Sequence, residues 1–350
     1  MTGSDRPVFI VGCARSGTTL LQLMVQAHPR LAMPPENRFV IPVYERRVKF
    51  GDPATDEARE AIASFIVDRK KSRFHDLGVD PEQARQRIRE APPTIGSYLG
   101  VVLEEYAKRY DRPRWGDKRP NYVQYLDRIL ALFPDAQILH IIRDGRACVA
   151  SLKRMPWWDH GVIPAIYKWA EATHTADWAK AELPTDQYHE FRYEDLVSDP
   201  QPVLEGICDF LDEDFHPAML EPHKVADDAV PDYKAWHEQT HKPVSASQVR
   251  SWETGLERNE IRLMEHVAGA ELEAYGYELS TSRLRRRPPA KDLKAYLAFL
   301  ERRRDKERKQ RRAELQRQAD YPWPVAAQLT EQQRRLASDP SASAPQQPGR

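Results

Sequence analysis

The chain has 350 residues, 41% of them hydrophobic, and carries 53 basic against 53 acidic side chains, the balance of a globular, enzyme-sized protein with one large core or two modest ones. No run of 18 apolar residues occurs and the first strand starts close to the N-terminus, so neither a membrane span nor a signal peptide is expected, and the cytoplasm is the expected setting. Cys13, Cys148 and Cys208 are odd in number and lack C-x-x-C spacing, so neither a disulfide framework nor a zinc site is supported.

The first predicted element is a strand, Val8-Phe-Ile-Val, that runs into Gly12-Cys-Ala-Arg-Ser-Gly-Thr-Thr-Leu20 and a helix ending near residue 27. Gly12 and Gly17 stand five apart as in G-x-x-x-x-G-K-[ST], but Thr18 holds the place of the lysine that a nucleotide triphosphatase needs. A glycine turn that opens a helix offers free backbone N–H groups and a positive helix end to an anion with two or more oxygens. Thr18 and Thr19 add hydroxyl donors, and Arg15 adds a fixed positive charge. A cation before the second glycine, rather than after it, suits a nucleotide whose terminal group is not a γ-phosphate on Mg²⁺.

Glu36 follows the first helix and a turn that brings the chain back to the carboxyl edge of the sheet. From Asp52 to Tyr110, apolar turns such as Ala61-Ile62 and Phe65-Ile66 alternate with charged ones and read as helices laid over that edge, where they shape a pocket. Lys118 stands in Trp115-Gly-Asp-Lys-Arg-Pro-Asn-Tyr122, a loop ahead of another helix. A second strand at 138–142 then runs into Arg143-Asp-Gly-Arg-Ala-Cys-Val-Ala-Ser151. Arginine at a strand end presents a planar fork of donors to phosphate oxygens, and Ser151 adds a neutral donor two helical turns on; pairing of Arg143 with Asp144 is the plain structural alternative. Trp157 and Trp158 either line the acceptor pocket or pack in the core, the core being the favoured expectation. A strand around Tyr188 to Tyr193 completes a βα alternation, which predicts a parallel sheet covered on both faces, with its ligand outside the carboxyl ends of the strands. Two anion sites on successive strands imply a ligand with two separated phosphates.

With both signatures in this order, the chain resembles the PAPS-dependent sulfotransferases over roughly residues 6 to 280. Their first signature has Arg or Lys followed by Ser-Gly-Thr-Thr, matched here by Arg15, Ser16, Gly17, Thr18 and Thr19. The resemblance implies an α/β P-loop nucleotide-binding fold, with a central parallel sheet flanked by helices. It implies 3′-phosphoadenosine 5′-phosphosulfate (PAPS) as co-substrate, without a metal, and assigns Arg143 and Ser151 to its 3′-phosphate. Protein-tyrosine sulfotransferases run from the first signature through Ala-His-Pro to a glutamate, which makes Glu36 the expected base. Lys118 is implied to stabilise the bridging oxygen and the departing bisphosphate, assisted by Arg15. Tyr193 is implied to contact the adenine side, and Arg250 and Ser251 belong to a late cofactor-covering loop beginning near Lys242. The acceptor is a small molecule, glycan or peptide, the first two being the working expectation; no nucleic-acid partner is expected.

Arg283 to Arg317 carries 15 basic and 5 acidic residues, after which the composition turns to Ser, Pro, Ala and Gln. The expected organisation is therefore a sulfotransferase domain over 1–282, a basic helical extension over 283–320 and a disordered tail over 321–350. Two other readings stay open: a P-loop kinase or NTPase, and a binding module that recruits a partner through the basic helix.

Overall fold

β1 (Val8–Gly12) forms from four consecutive large apolar residues, three of them β-branched, and is buried along its whole length. Val8 and Ile10 belong to one core cluster with Leu21, Met24 and Leu204, while Phe9 and Val11 belong to another with Leu99 and Ile166. That alternation places one side chain on each sheet face in turn, and each such burial is worth about 1.5–3 kcal/mol.

The computed structural model describes residues 4–226, 244–280 and 287–328. After β1 come α1 (Thr18–Gln26), β2 (Leu31–Ala32), α2 (Val40–Phe50), α3 (Asp56–Val67), α4 (Pro81–Glu90) and α5 (Ile95–Lys108). They are followed by β3 (Arg114–Lys118), α6 (Leu126–Leu132), β4 (Gln137–Ile142), α7 (Gly145–Lys153), α8 (Val162–Glu182), β5 (Tyr188–Arg192), α9 (Tyr193–Ser198) and α10 (Pro200–Leu211). The strands make one parallel sheet in the order β2-β3-β1-β4-β5. Ile10 pairs with Lys118 on one side and Leu139 on the other, so the strands end along one edge.

The sequence pattern marks β1, β4 and β5 but reads the segment at Lys118 as a loop. β3 is a fully buried strand built from Arg-Trp-Gly-Asp-Lys. Arg114 is tolerated because its guanidinium donates to Arg6 O at 2.6 Å, Leu211 O at 2.6 Å and Glu213 at 3.2 Å. Gly116 is required by close approach, since a Cβ there would lie 2.5 Å from Val8 O. The helices between 52 and 110 also differ from expectation: α5 packs along β3, with Gly100 facing the Trp115 ring, rather than over the carboxyl edge.

The helix Ala290–Ala319 lies against α2 and α8. Arg47 of α2 donates to Glu314 at 2.7 Å and stacks 4.1 Å over the Tyr44 ring, and Arg303 pairs with Glu171 at 3.2 Å. Residues 321–328, expected to be disordered, instead pack on the body. Tyr321 is buried, Val325 O accepts from Gly96 N at 2.8 Å, and Ala327 N donates to Leu132 O at 2.7 Å. Tyr321, Trp323 and Val325 supply apolar surface that offsets the ordering of this stretch. Residues 227–243, 281–286 and 329–350 lie outside the described residues, and with them the start of the late loop at Lys242, the start of the basic extension and the rest of the expected tail.

Arg47→Ala leaves buried Glu314 with Arg317 as its remaining arginine and should lower the unfolding free energy by about 1.5–3 kcal/mol, read from the urea midpoint. Arg47→Met combined with Glu314→Leu should recover most of that loss; an unchanged midpoint in Arg47→Ala would show the pair to be idle.

Candidate active site

A crevice of about 790 Å³ opens at the carboxyl edge of the sheet. Every strand contributes to its wall: the loop after β1, Glu36 after β2, Arg119 after β3, Arg143 after β4 and Tyr193 after β5.

The loop after β1 is shaped by two residues with positive φ. Gly17 starts α1 at φ 101°, and a Cβ there would come within 2.5 Å of the Tyr193 ring. Glycine therefore lets the aromatic ring lie against the loop. Arg15 has φ 73°, uncommon for a residue with a side chain, and its Nε reaches across to Ser151 Oγ at 3.1 Å. Ser16 is wholly buried beneath the loop with its hydroxyl unpaired. Thr18 and Thr19 open α1, whose first turn carries no acidic residue and no side-chain cap.

At the end of β4 the Arg143 guanidinium donates to Arg15 O at 3.0 Å and Gln248 O at 2.7 Å, and lies 4.3 Å above the Tyr193 ring. Its own carbonyl accepts from the Trp169 indole at 2.8 Å. Asp144 does not pair with Arg143. It caps α7 by accepting from Arg146 N at 2.9 Å and binds the Arg146 side chain. The start of α7 is thus already satisfied, and anion recognition at this strand falls to Arg143 and Ser151. Burial pushes the Arg15 guanidinium below its usual range, and the neighbouring Arg143 charge adds to the shift. Two cations held together in this way favour an anion between them.

The third group joins β3 to the turn after β2. Lys118, whose side chain is 2% exposed, directs Nζ to the Glu36 carboxylate and to Thr19 Oγ1 at 3.2 Å. Glu36 stands at the crevice wall. The structure therefore gathers Arg15, Gly17, Thr18, Thr19, Glu36, Lys118, Arg143, Ser151 and Tyr193 about one space.

Arg250 and Ser251 are not brought there. The Arg250 side chain is 76% exposed and pairs with Glu253 three residues on, while Ser251 is absent from the crevice wall. The late loop takes part instead through Val244, Ser245, Ser247 and Gln248. Trp157 and Trp158 also differ from expectation: both line the crevice, and Trp157 is 47% exposed. Sequence reasoning missed Arg38, Arg73, Arg119, Arg154 and Lys168, which line the same space. Of the 52–110 segment, Arg73 supplies lining, from a turn at φ 63° tied to the Glu36 turn by Arg38 N donating to Ser72 O at 2.7 Å. Nothing in the local pattern around these arginines separates them from solvated charges. Among the described residues no cluster of His, Cys, Asp or Glu is placed to hold a metal ion.

Residues 7–217 match the model of the sulfotransferase family. The chain belongs to this family. The Drosophila melanogaster protein-tyrosine sulfotransferase is 26% identical over 282 residues, which cover 77% of this chain and 51% of that one. The chain thus spans about half the length of that relative. Among solved structures, the sulfotransferase domain of the Synechococcus PCC 7002 olefin synthase is similar with a TM-score of 0.51 and 26% identity, over 79% of this chain and 97% of that one. The sulfotransferase domain from the curacin biosynthetic pathway has a TM-score of 0.56 at 23% identity, over 79% of this chain and 99% of that one, and shares the fold.

If Arg143 reads a second phosphate, Arg143→Ala should weaken adenosine 3′,5′-bisphosphate binding by about 10- to 100-fold, and ATP by less than about threefold. Calorimetric titration checks this; equal losses for both nucleotides would remove Arg143 from that role.

Proposed function

We propose that this sulfotransferase moves a sulfuryl group from PAPS to the hydroxyl of an acceptor in the crevice, releasing adenosine 3′,5′-bisphosphate. The observation that carries the reading is the Lys118–Glu36 pair beside Thr19, in the same space as Arg15, Arg143 and Ser151. A base for the acceptor, a cation for the leaving oxygen and a two-phosphate cradle are the parts this transfer requires.

The residues present fit such a donor. Among the described residues Arg143 Nε is buried without a hydrogen-bond partner, and the two adjacent guanidiniums favour an anion. The uncapped start of α1, with Arg15, Thr18 and Thr19, suits the 5′-phosphosulfate end, while Arg143 and Ser151 suit the 3′-phosphate. PAPS supplies the activated sulfuryl group. Glu36 accepts the hydroxyl proton as the acceptor oxygen bonds to sulfur and the bond from sulfur to the phosphate oxygen breaks. Lys118 and Arg15 stabilise the charge that gathers on that departing oxygen. In the protein alone Lys118 and Glu36 hold each other, so both substrates have to part the pair before transfer.

The acceptor end is walled by Met155, Pro156, Trp157 and Trp158 on one hand and Arg38, Arg73 and Arg119 on the other. Those walls suit an aromatic hydroxyl with acidic groups nearby, and a protein-tyrosine relative supports a peptide tyrosine as one such acceptor. The family match sets the kinase alternative aside. Catalysis is favoured over a pure binding module because a binding site has no need of a carboxylate and an ammonium joined at its wall. A reducing setting such as the cytoplasm is part of the proposal, supported by three buried free thiols.

Glu36→Gln should bind adenosine 3′,5′-bisphosphate within about threefold of wild type and lose transfer by about 10²- to 10⁴-fold. Calorimetry paired with labelled-sulfate transfer to a tyrosine-containing acidic peptide and to simple phenols checks this. Full turnover in Glu36→Gln would remove Glu36 as base, and failure of the wild type to bind the bisphosphate would overturn the reading.

A further inference from the structure

Asp117 is completely buried one residue before Lys118 and does not line the crevice. Its Oδ1 accepts from Lys118 N at 2.8 Å, and its Oδ2 accepts from the Tyr122 hydroxyl at 2.6 Å. Tyr122 sits on the turn Pro120–Tyr125, which follows the crevice residue Arg119. The side chain of Asn37, next to Glu36 in the chain, faces the same carboxylate, and the Arg119 charge lies close enough to favour its ionised form. One carboxylate therefore meets three segments: the end of β3 that carries Lys118, the turn after it, and the turn after β2 that carries Glu36.

We propose that Asp117 is a positioning residue for transfer, a buried carboxylate that sets Lys118 and the Glu36 turn against each other without touching either substrate. The inference rests on the function proposed above. An internal carboxylate is a poor choice for stability alone, because burial penalises its charge. That penalty raises the Asp117 carboxyl from 3.8 to about 6. The folded state then keeps a proton that the unfolded chain has lost, so this group weakens the fold as pH rises from about 4 to about 6 and holds it at the weaker level above. The groups facing it are the Tyr122 hydroxyl, the Lys118 amide, Asn37 and Arg119; the hydroxyl and the amide give it fixed donors that a neutral side chain would use less well.

The test uses the 350-residue chain with PAPS and simple phenols as acceptors, bisphosphate release serving as the readout, beside calorimetric binding of adenosine 3′,5′-bisphosphate and thermal melts across pH. Asp117→Asn should slow turnover about 10- to 100-fold while binding the bisphosphate within about threefold. Its melting temperature should equal or exceed that of wild type at neutral pH, the difference growing between about pH 4 and pH 6. Tyr122→Phe, which keeps the ring and removes one donor, should show the same split at about 3- to 10-fold. Wild-type turnover in both variants would overturn the proposal, as would melting and bisphosphate affinity falling in step with turnover. A wild-type protein that fails to bind the bisphosphate would overturn the function itself and this inference with it.

Discussion

Parallel pairing of β1 with β3 on one side and β4 on the other is the constraint on which the site depends. Neighbouring strands lie about 4.8 Å apart, and parallel strands release their chains at the same edge. The loop with Arg15, the end of β3 with Lys118 and the end of β4 with Arg143 therefore start side by side, whatever their separation in sequence. A one-residue slip of β3 would turn Lys118 to the other sheet face and bring a side chain to the position of Gly116, which lies against Val8 O. Register and site geometry are thus the same fact seen at two scales.

That edge concentrates positive charge. Arg15, Arg38, Arg73, Arg119, Arg143, Arg154 and Lys168 line the crevice against the carboxylate of Glu36, although the whole chain is neutral. Self-repulsion of this kind works against the folded state in the absence of ligand; at Arg15 the Arg143 and Arg154 charges add to burial, the larger cause, in lowering the guanidinium. A polyanionic ligand relieves it, which makes binding favourable beyond the direct contacts. The basic helix Ala290–Ala319 contributes differently: Arg303 pairs with Glu171, and its Glu314 with Arg47, so part of its charge is committed to docking on the body.

The parts of the site that the sequence revealed are those where short-range chemistry dictates residue type. Gly12, Gly17 and Arg15 are readable because a phosphate loop between strand and helix demands glycine and a donor at set positions, and Arg143 and Ser151 because a strand end and two helical turns fix their spacing. β3 was hidden because Arg114, Asp117 and Lys118 are polar yet buried, and what makes that bearable lies far off in the chain at Arg6, Leu211 and Glu213. Arg73 is hidden for the same reason: its part depends on which turns the fold places beside Glu36, and the same holds for the choice between pocket and core at Trp157. Arg250 stands outside the crevice wall, its exposed side chain paired with Glu253 three residues on. Residues 321–328 read as tail in the sequence since a few aromatics among polar residues do not announce the backbone partners, Gly96 at the start of α5 and Leu132 at the end of α6, that hold them.

The segment Arg143-Asp-Gly-Arg146 shows how one motif divides structural from binding charge. Arg146 is buried and meets two carboxylates, Asp144 at 2.8 Å and Glu265 at 2.7 Å, so its charge is spent within the protein. Arg143 is equally buried, yet among the described residues its hydrogen bonds go to two carbonyl oxygens and to no carboxylate. Carbonyls orient a guanidinium while leaving its net charge in place, and one of its nitrogens stays unpaired. By taking Asp144, Arg146 removes the neighbour that would otherwise neutralise Arg143. The structural arginine thus keeps the binding arginine charged, and the two roles require each other within four residues.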